Sequence, residues 1–296
     1  MYDVVKKPMP DAIVHLAEQR SAPYSMLGLK QATETLTKNM IGTVNLVYAM
    51  KDLVPGAHLL KLGTMGEYGT PNIDIPEGFF EIEYKGRKDY LPFPKFAGSW
   101  YHWSKVHDTN NLMFANKLWE IPITDVMQGV VYGTRIKEIT DTSLFTRFDV
   151  DEVWGTALNR FCTQAVLGEP ITPYGKGNQR RGFLSLEDSI NCLTIGLENP
   201  PSHGEYRVFN QFDEHYSVNE LAKLTSDIAL KVLGKECKIV NVNNPRMEKE
   251  DHYYNPEHSK LKKLGYKQSR ELKDDIGSIL KDIDQFHNNA EKLRGV

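Results

Sequence analysis

Cysteine is scarce in this chain of 296 residues, and the three present, Cys162, Cys192 and Cys237, lie far apart. That spacing excludes a zinc ribbon or a thioredoxin-type pair, and an odd count makes no disulfide framework. Long apolar runs are also lacking; none approaches the roughly 20 residues needed to span a bilayer. The first residues have neither an apolar signal core nor an Arg/Ser-rich transit character. Basic charge is not in excess: the formal net charge is -3, which removes the electrostatic case for nucleic acid. The nine histidines form no metal-binding pattern, and His252 and His258, in a polar stretch, read as solvated. No metal is expected, and a reducing, cytoplasmic compartment is the default.

What is present is ordinary for a globular protein, with 40% hydrophobic and 25% charged residues. The length suits one large α/β domain or two coupled lobes. Short apolar runs alternate with longer amphipathic stretches, the pattern of a parallel sheet flanked by helices. Ala12–Leu16, Leu59–Gly63, Ile123–Met127, Val130–Tyr132 and Tyr206–Phe209 read as strands. Ala32–Lys51 and Trp100–Leu118 read as long helices, and Val218–Gly234 and Glu271–Leu293 as late ones. Between Phe79 and Leu91, apolar and charged residues alternate around Lys85-Gly86-Arg87, which predicts an inserted β-hairpin. It is a surface flap or a lid, since sites in open α/β sheets lie beyond the strand C-termini. After Gly133 the chain becomes broken and Pro/Gly-rich, which predicts a second, smaller α/β lobe over 134–296. A segment near 205–233 is expected to return to the first sheet.

Tyr101 and Lys105 stand four apart, so on a helix they share one face. An ammonium beside a phenol favours the phenolate, which can then take a proton from an alcohol. The same spacing occurs at Tyr2/Lys6 and Tyr84/Lys88, so spacing alone identifies nothing. Tyr84/Lys88 straddles a glycine turn and Tyr2/Lys6 runs into Pro8. Only Tyr101/Lys105 lies in a helix that follows a strand ending in a hydroxyl-bearing turn, Gly63-Thr64-Met65-Gly66.

These residues resemble the extended short-chain dehydrogenase/reductase family of nucleotide-sugar epimerases and dehydratases. His15-Leu16-Ala17 is similar to its cofactor-side strand end, and Asn39-Met-Ile-Gly-Thr43 to its central-helix asparagine motif. Tyr132-Gly133 also matches, as does Tyr174-Gly-Lys-Gly177 with Arg181 and Glu187-Asp188. Longer strings, Glu18–Met26, Gly63–Asp74, Gly129–Gly133, Gly155–Phe161 and Asn244–Arg246 with His252–Asn255, resemble a subgroup that uses sulfite. The resemblance implies a Rossmann-type fold, a tightly held NAD, and UDP-glucose and sulfite as substrates. It implies oxidation at C4, loss of water across C5–C6, sulfite addition at C6 and re-reduction at C4. Another UDP-sugar 4-epimerase or dehydratase, or a non-catalytic UDP-sugar-binding protein, is the alternative.

Site roles follow from the same resemblance. Tyr101 is the base for C4 oxidation, Lys105 tunes it and holds the nicotinamide ribose, and Thr64 bonds the C4 hydroxyl. Dehydratases of the family place an Asp-Glu pair just after the threonine; here Met65-Gly66 stand there, which points to His102 and Glu67 as the second acid/base. His15, Leu16, Ala17, Asn39, Gln128 and Val131 fall to the cofactor. Arg20, Gln128, Tyr174, Arg181 and Arg246 fall to the nucleotide sugar, the arginines as planar anion clamps. A homodimer through the two long helices is implied. Residues 1 to 30 contain no Gly-x-x-Gly-x-x-Gly turn for the pyrophosphate. The sheet is therefore expected to lack its first strands and that loop, as in an N-terminally truncated member.

Overall fold

A computed structural model describes residues 1–145, 147–244, 249 and 251–286. They form nine strands: β1 Ala12–His15, β2 His58–Thr64, β3 Phe79–Tyr84, β4 Arg87–Pro92, β5 Ile123–Gln128, β6 Val130–Tyr132, β7 Arg180–Ser185, β8 Tyr206–Gln211 and β9 Glu214–Ser217. The chain divides into two compact units, one of residues 1–129, 191–211 and 253–267, the other of the remainder.

The first unit is built on a four-stranded sheet in the order β1-β2-β5-β8, parallel throughout. Alternation along each strand sends neighbouring side chains to opposite faces. Leu59 and Ile123 meet Leu46, Val47, Met50 and Leu112 on one face. Leu60, Val126 and Phe209 meet Cys192, Leu261 and Tyr266 on the other. Both faces are covered, as a parallel sheet requires.

The first long helical stretch starts earlier than its pattern suggests and is not uniform. It runs as α-helix over Leu29–Leu36, widens to a π turn over Thr37–Ile41, and resumes as α-helix over Gly42–Leu53. Asn39 sits in the π turn, a geometry frequent at functional sites. The second helix, Trp100–Trp119, is capped by Ser99 and closed by a left-handed Glu120. Its buried side is polar near the start, with Tyr101, Ser104, Lys105, Asp108 and Thr109, and apolar towards the end at Leu112 and Ala115. The polar half is what the helix presents to the ends of the strands.

β3 and β4 form the expected antiparallel hairpin. Its base is fixed by Phe79, whose ring meets Tyr206 edge-on at 6.4 Å, and by Phe80 against Phe93 at 5.3 Å. Tyr206 is the first residue of β8, so this anchor lies at the start of that strand, away from the strand C-termini.

The second unit has a three-stranded sheet, β6-β7-β9, with β6 parallel and β9 antiparallel to β7. Helices Ala157–Leu167, Val218–Leu233 and Leu272–Gln285 pack around Phe161, Leu221, Ala222, Ala229, Ile276 and Ile279. Two boundaries differ from those read in the sequence. Val130–Tyr132 belongs here, because its backbone pairs with Phe183–Ser185 after the chain leaves β5. Val218–Leu233 also belongs here, because its apolar face is buried in this core; the segments returning to the first unit are 191–211 and 253–267. No helix among the described residues is long and apolar enough to cross a membrane.

Candidate active site

β2 ends at Thr64, and the chain turns at once into a short 3-10 helix, Met65–Tyr68. The Thr64 hydroxyl accepts from Gly66 N at 3.2 Å, so its own proton is not used in that bond. Glu67 closes the turn from the other side, accepting from Thr64 N at 3.3 Å. Its second oxygen accepts from Lys95 Nζ at 2.6 Å and Thr109 Oγ1 at 3.0 Å. Below lies Lys61, 3.2 Å from Glu67 and 3.1 Å from Asp125, with all three side chains fully buried. Burial alone would push the Glu67 carboxyl up; Lys61 and Lys95 outweigh it and hold the group ionised. Glu67, expected as an acid/base, is thus fully buried with both oxygens engaged. Its bond to Thr64 N makes it an anchor of the Thr64 turn.

Gly63, Gly66 and Gly69 happen to repeat the Gly-x-x-Gly-x-x-Gly spacing. Their physical reasons are different from phosphate binding. A Cβ at Gly63 would stand 2.9 Å from Asp125 and 3.0 Å from Glu67, so that glycine makes room for the buried charges. A Cβ at Gly66 would fall 2.3 Å from His102 Nε2.

His102 is held on the first turn of its helix. Ser99 Oγ accepts from its backbone N–H at 3.2 Å and lies 3.0 Å from its Nδ1. The imidazole lies beside the phenol, with ring centroids 4.9 Å apart. Its Nε2 therefore looks onto the turn that carries Thr64.

Tyr101 and Lys105 share the buried face of the helix, as expected, but they are not each other's electrostatic partner. The Lys105 ammonium pairs with Glu18 and donates to the Leu62 carbonyl at 2.7 Å. Burial, followed by the Glu18 and Glu67 charges, pushes the Tyr101 phenol well above its ordinary value, against the pull of Arg20. The expected depression of Tyr101 by Lys105 is therefore corrected: the loop after β1 delivers a carboxylate that takes up the ammonium first. Nothing in the string around Glu18 marks it as a buried anion, so sequence reasoning missed it. Asp108, one turn on and pushed up to about 6 by burial, was missed for the same reason.

The other two Tyr-x-x-x-Lys matches scatter. Tyr84 and Lys88 sit on opposite strands of the hairpin, and Tyr2 bonds Asp52 at 2.5 Å.

Asn39 is a scaffold group. Its amide exchanges bonds with the Gln19 backbone at 2.8 and 3.1 Å and donates to Ser104 Oγ at 2.8 Å, tying the loop after β1 to the tyrosine helix. His15 ends β1 with Nε2 3.3 Å from Thr43 Oγ1, and burial, then Lys105 and Lys61, bring it down to about 4. Leu16 and Ala17 follow it and are exposed. Gln128 ends β5 and donates to Gln211 at 2.7 Å. Arg20 is exposed on the same loop as Glu18. Thr64, Tyr101, His102, Lys105, Glu18 and Arg20 thus gather about the ends of β1 and β2.

Val131, Tyr174 and Arg181 belong to the second unit. Tyr174 has one ring face covered by the Arg160 guanidinium at 3.9 Å. Arg181 NH1 donates to the Arg180 carbonyl at 2.8 Å and lies 3.3 Å from His252 Nε2, so His252 is not the free solvated histidine expected. Arg180 forms a two-point pair with Glu220. Arg246 lies outside the described residues.

Residues 1–210 match the NAD dependent epimerase/dehydratase family. The chain belongs to this family. Within it, the chain is 50% identical over 295 residues to a UDP-sulfoquinovose synthase of Sulfolobus acidocaldarius, covering 99% of this chain and 75% of that protein. It is 53% identical over 259 residues to the chloroplastic UDP-sulfoquinovose synthase of Spinacia oleracea, covering 87% of this chain and 54% of that one. A solved UDP-glucuronic acid 4-epimerase from Bacillus cereus, in complex with UDP-glucuronic acid and NAD, superposes with a TM-score of 0.73 at 20% identity, over 96% of this chain and 78% of its own. The fold is the Rossmann-like one of the epimerase/dehydratase family. The residues present suit the nicotinamide end of the family's cofactor. Lys105 and Glu18 form a largely buried donor–acceptor pair at the ends of the first strands.

Proposed function

We propose that this chain carries the sugar-reacting residues of an NAD-dependent enzyme that converts UDP-glucose and sulfite to UDP-sulfoquinovose. The observation that carries the reading is the place of His102. Dehydratases that the sequence resembles have a carboxylate side chain at the position of Gly66. Here the imidazole stands in the space that such a side chain would need, so an imidazole takes the place of a carboxyl group.

NAD, when bound, supplies a reversible acceptor for the C4 hydride. Thr64 offers its hydroxyl proton to the C4 oxygen. Tyr101 moves the C4 hydroxyl proton, and must first ionise, which requires Lys105 to turn from Glu18. His102 handles the protons of the C5–C6 elimination, in which the C5 hydrogen and the C6 hydroxyl leave as water. The sulfite sulfur then bonds to C6 while a solvent-derived proton reaches C5 through His102, and the stored hydride returns to C4 as Tyr101 returns a proton to its oxygen. Gln128 and Val131 are assigned to the nicotinamide side, Arg20 to the sugar or sulfite, and Tyr174, Arg181 and Arg246 to the UDP. A homodimer through the two long helices belongs to the reading; Ile41, Tyr48, Phe114 and Leu118 are exposed on them. So does a cytoplasmic location, in keeping with three free, buried cysteines.

The test is product analysis with NAD, UDP-glucose and labelled sulfite, at NAD concentrations where binding is verified by fluorescence. A sulfonated UDP-sugar is expected, lost in His102→Ala while UDP-glucose binding persists. Absence of NAD binding, or of any sulfur-bearing product with NAD bound, overturns the reading for this chain.

A further inference from the structure

One cavity of the first unit plays no part in the chemistry above. It has a volume of about 610 Å³ and is lined by Phe79 and Tyr90 of the hairpin, Tyr206 and Arg207 of β8, and Lys260 and Lys263. That size is ordinary for a small-molecule site. Its position is at the wrong end of the sheet for the sugar reaction. Tyr206 is in register with Ile123, the first residue of β5, whereas Gln128 ends β5. Five residues of strand, roughly 17 Å, separate the two.

The two walls differ in chemistry. On one, the Phe79 and Tyr90 rings are stacked, with centroids 5.7 Å apart and planes 21° apart, and Tyr206 meets Phe79 edge-on. A flat apolar surface of this kind accepts another ring. On the other stand three cations. Arg207 gives its NH2 to Thr124 Oγ1 at 2.9 Å and to the carbonyls of Gly196 and Asn199, all neutral acceptors. Its Nε is buried and has no hydrogen-bond partner. Lys260 donates to the Glu77 backbone carbonyl at 2.7 Å, again a neutral group. Lys263 is exposed and has no ion pair among the described residues. The acid in the lining, Glu205, is turned to Ser202 N at 2.9 Å.

None of the three forms a salt bridge among the described residues, although the Glu205 charge acts on Arg207 and those of Glu77 and Glu257 act on Lys260 without direct contact. The Lys263 and Arg207 charges repel Lys260, and an incoming anion would relieve that repulsion. Burial pushes both Lys260 and Arg207 towards their neutral forms, which an anion would reverse. We propose that this cavity is a second binding site, separate from the sugar site, for a small planar aromatic anion whose ring lies against Phe79 and Tyr90 and whose charged group faces Arg207, Lys260 and Lys263.

The probe is naphthalene-2-sulfonate, titrated by calorimetry against the purified chain, with sodium sulfate and 2-naphthol as half-ligands. Saturable binding with a Kd of about a millimolar or tighter is expected, with each half-ligand at least about tenfold weaker. Tyr90→Ala and Lys263→Ala alter exposed side chains and should each weaken the probe by about tenfold. UDP-glucose at saturation and His102→Ala should leave probe binding unchanged. Competition by UDP-glucose would assign the probe to the sugar site and overturn the proposal. So would binding that survives Tyr90→Ala and Lys263→Ala together, or no saturable binding at all. None of these outcomes depends on whether the chain turns over sulfite.

Discussion

His102 and Gly66 occupy one space: the imidazole Nε2 lies 2.3 Å from where a Cβ on residue 66 would stand. The glycine therefore has a steric duty to the histidine that its own backbone does not reveal.

Gly66→Ala should push the imidazole off the Thr64 turn without disturbing the sheet. Turnover is expected to fall by about a hundredfold, the size of a lost acid/base contribution. Steady-state kinetics beside a circular dichroism melt will check it; unchanged kcat would detach His102 from the turn's function.

Glu18→Gln removes one of the charges that keep Tyr101 protonated and releases Lys105 from its partner. Both effects lower the Tyr101 pKa, because a nearby anion raises it and a nearby ammonium lowers it. The alkaline-rising limb of the pH–rate profile should move to lower pH. A limb that stays in place would show that Glu18 has no hold on the phenol.

Lys61→Met leaves buried Asp125 without its ammonium and Glu67 with Lys95 alone, both still in contact with Thr109. Unfolding free energy should fall by about 3–5 kcal/mol. Adding Asp125→Asn should recover part of that loss, and denaturant titrations of the two single variants and the double variant measure the coupling.

Acid should weaken the first unit before it reaches the carboxylates. His15 and His58 are both held down to about 4 by burial, below the unfolded value of about 6.5. The unfolded chain binds their protons first, so their contribution is intact above about pH 6.5 and lost as pH falls towards 4. His58 is 3% exposed, and its share is about 3 kcal/mol or less. Asp108, raised to about 6, acts in the opposite sense, so the useful measurement is a comparison. His58→Gln should show a flatter stability profile between pH 6.5 and 4; an identical profile would remove His58 from the account.

Much of the fold could be read from local pattern. The strands at 12, 59, 123 and 206, the hairpin and the tyrosine helix all follow from period and turn chemistry, which act over a few residues. The boundary between units was less legible, because Val130–Tyr132 is apolar enough for either sheet and only backbone pairing assigns it. At the site, the positions of Thr64 at a strand end and of Tyr101 and Lys105 on one buried helix face follow from a strand–turn–helix context. The burial of Glu67 was not legible, because its position after the threonine says nothing of Lys61 beneath it.

By itself, the sequence determined the family, the parallel sheet and the identity of the tyrosine–lysine helix, since these rest on short-range periodicity and on long strings. Only the tertiary structure decided which charges neutralise which. Glu18 and Lys105 are 87 residues apart in the chain, yet they form an ion pair, and the Glu18 charge adds to burial in raising Tyr101. Coulomb attraction depends on distance and on exclusion of water, and neither is written in the order of residues.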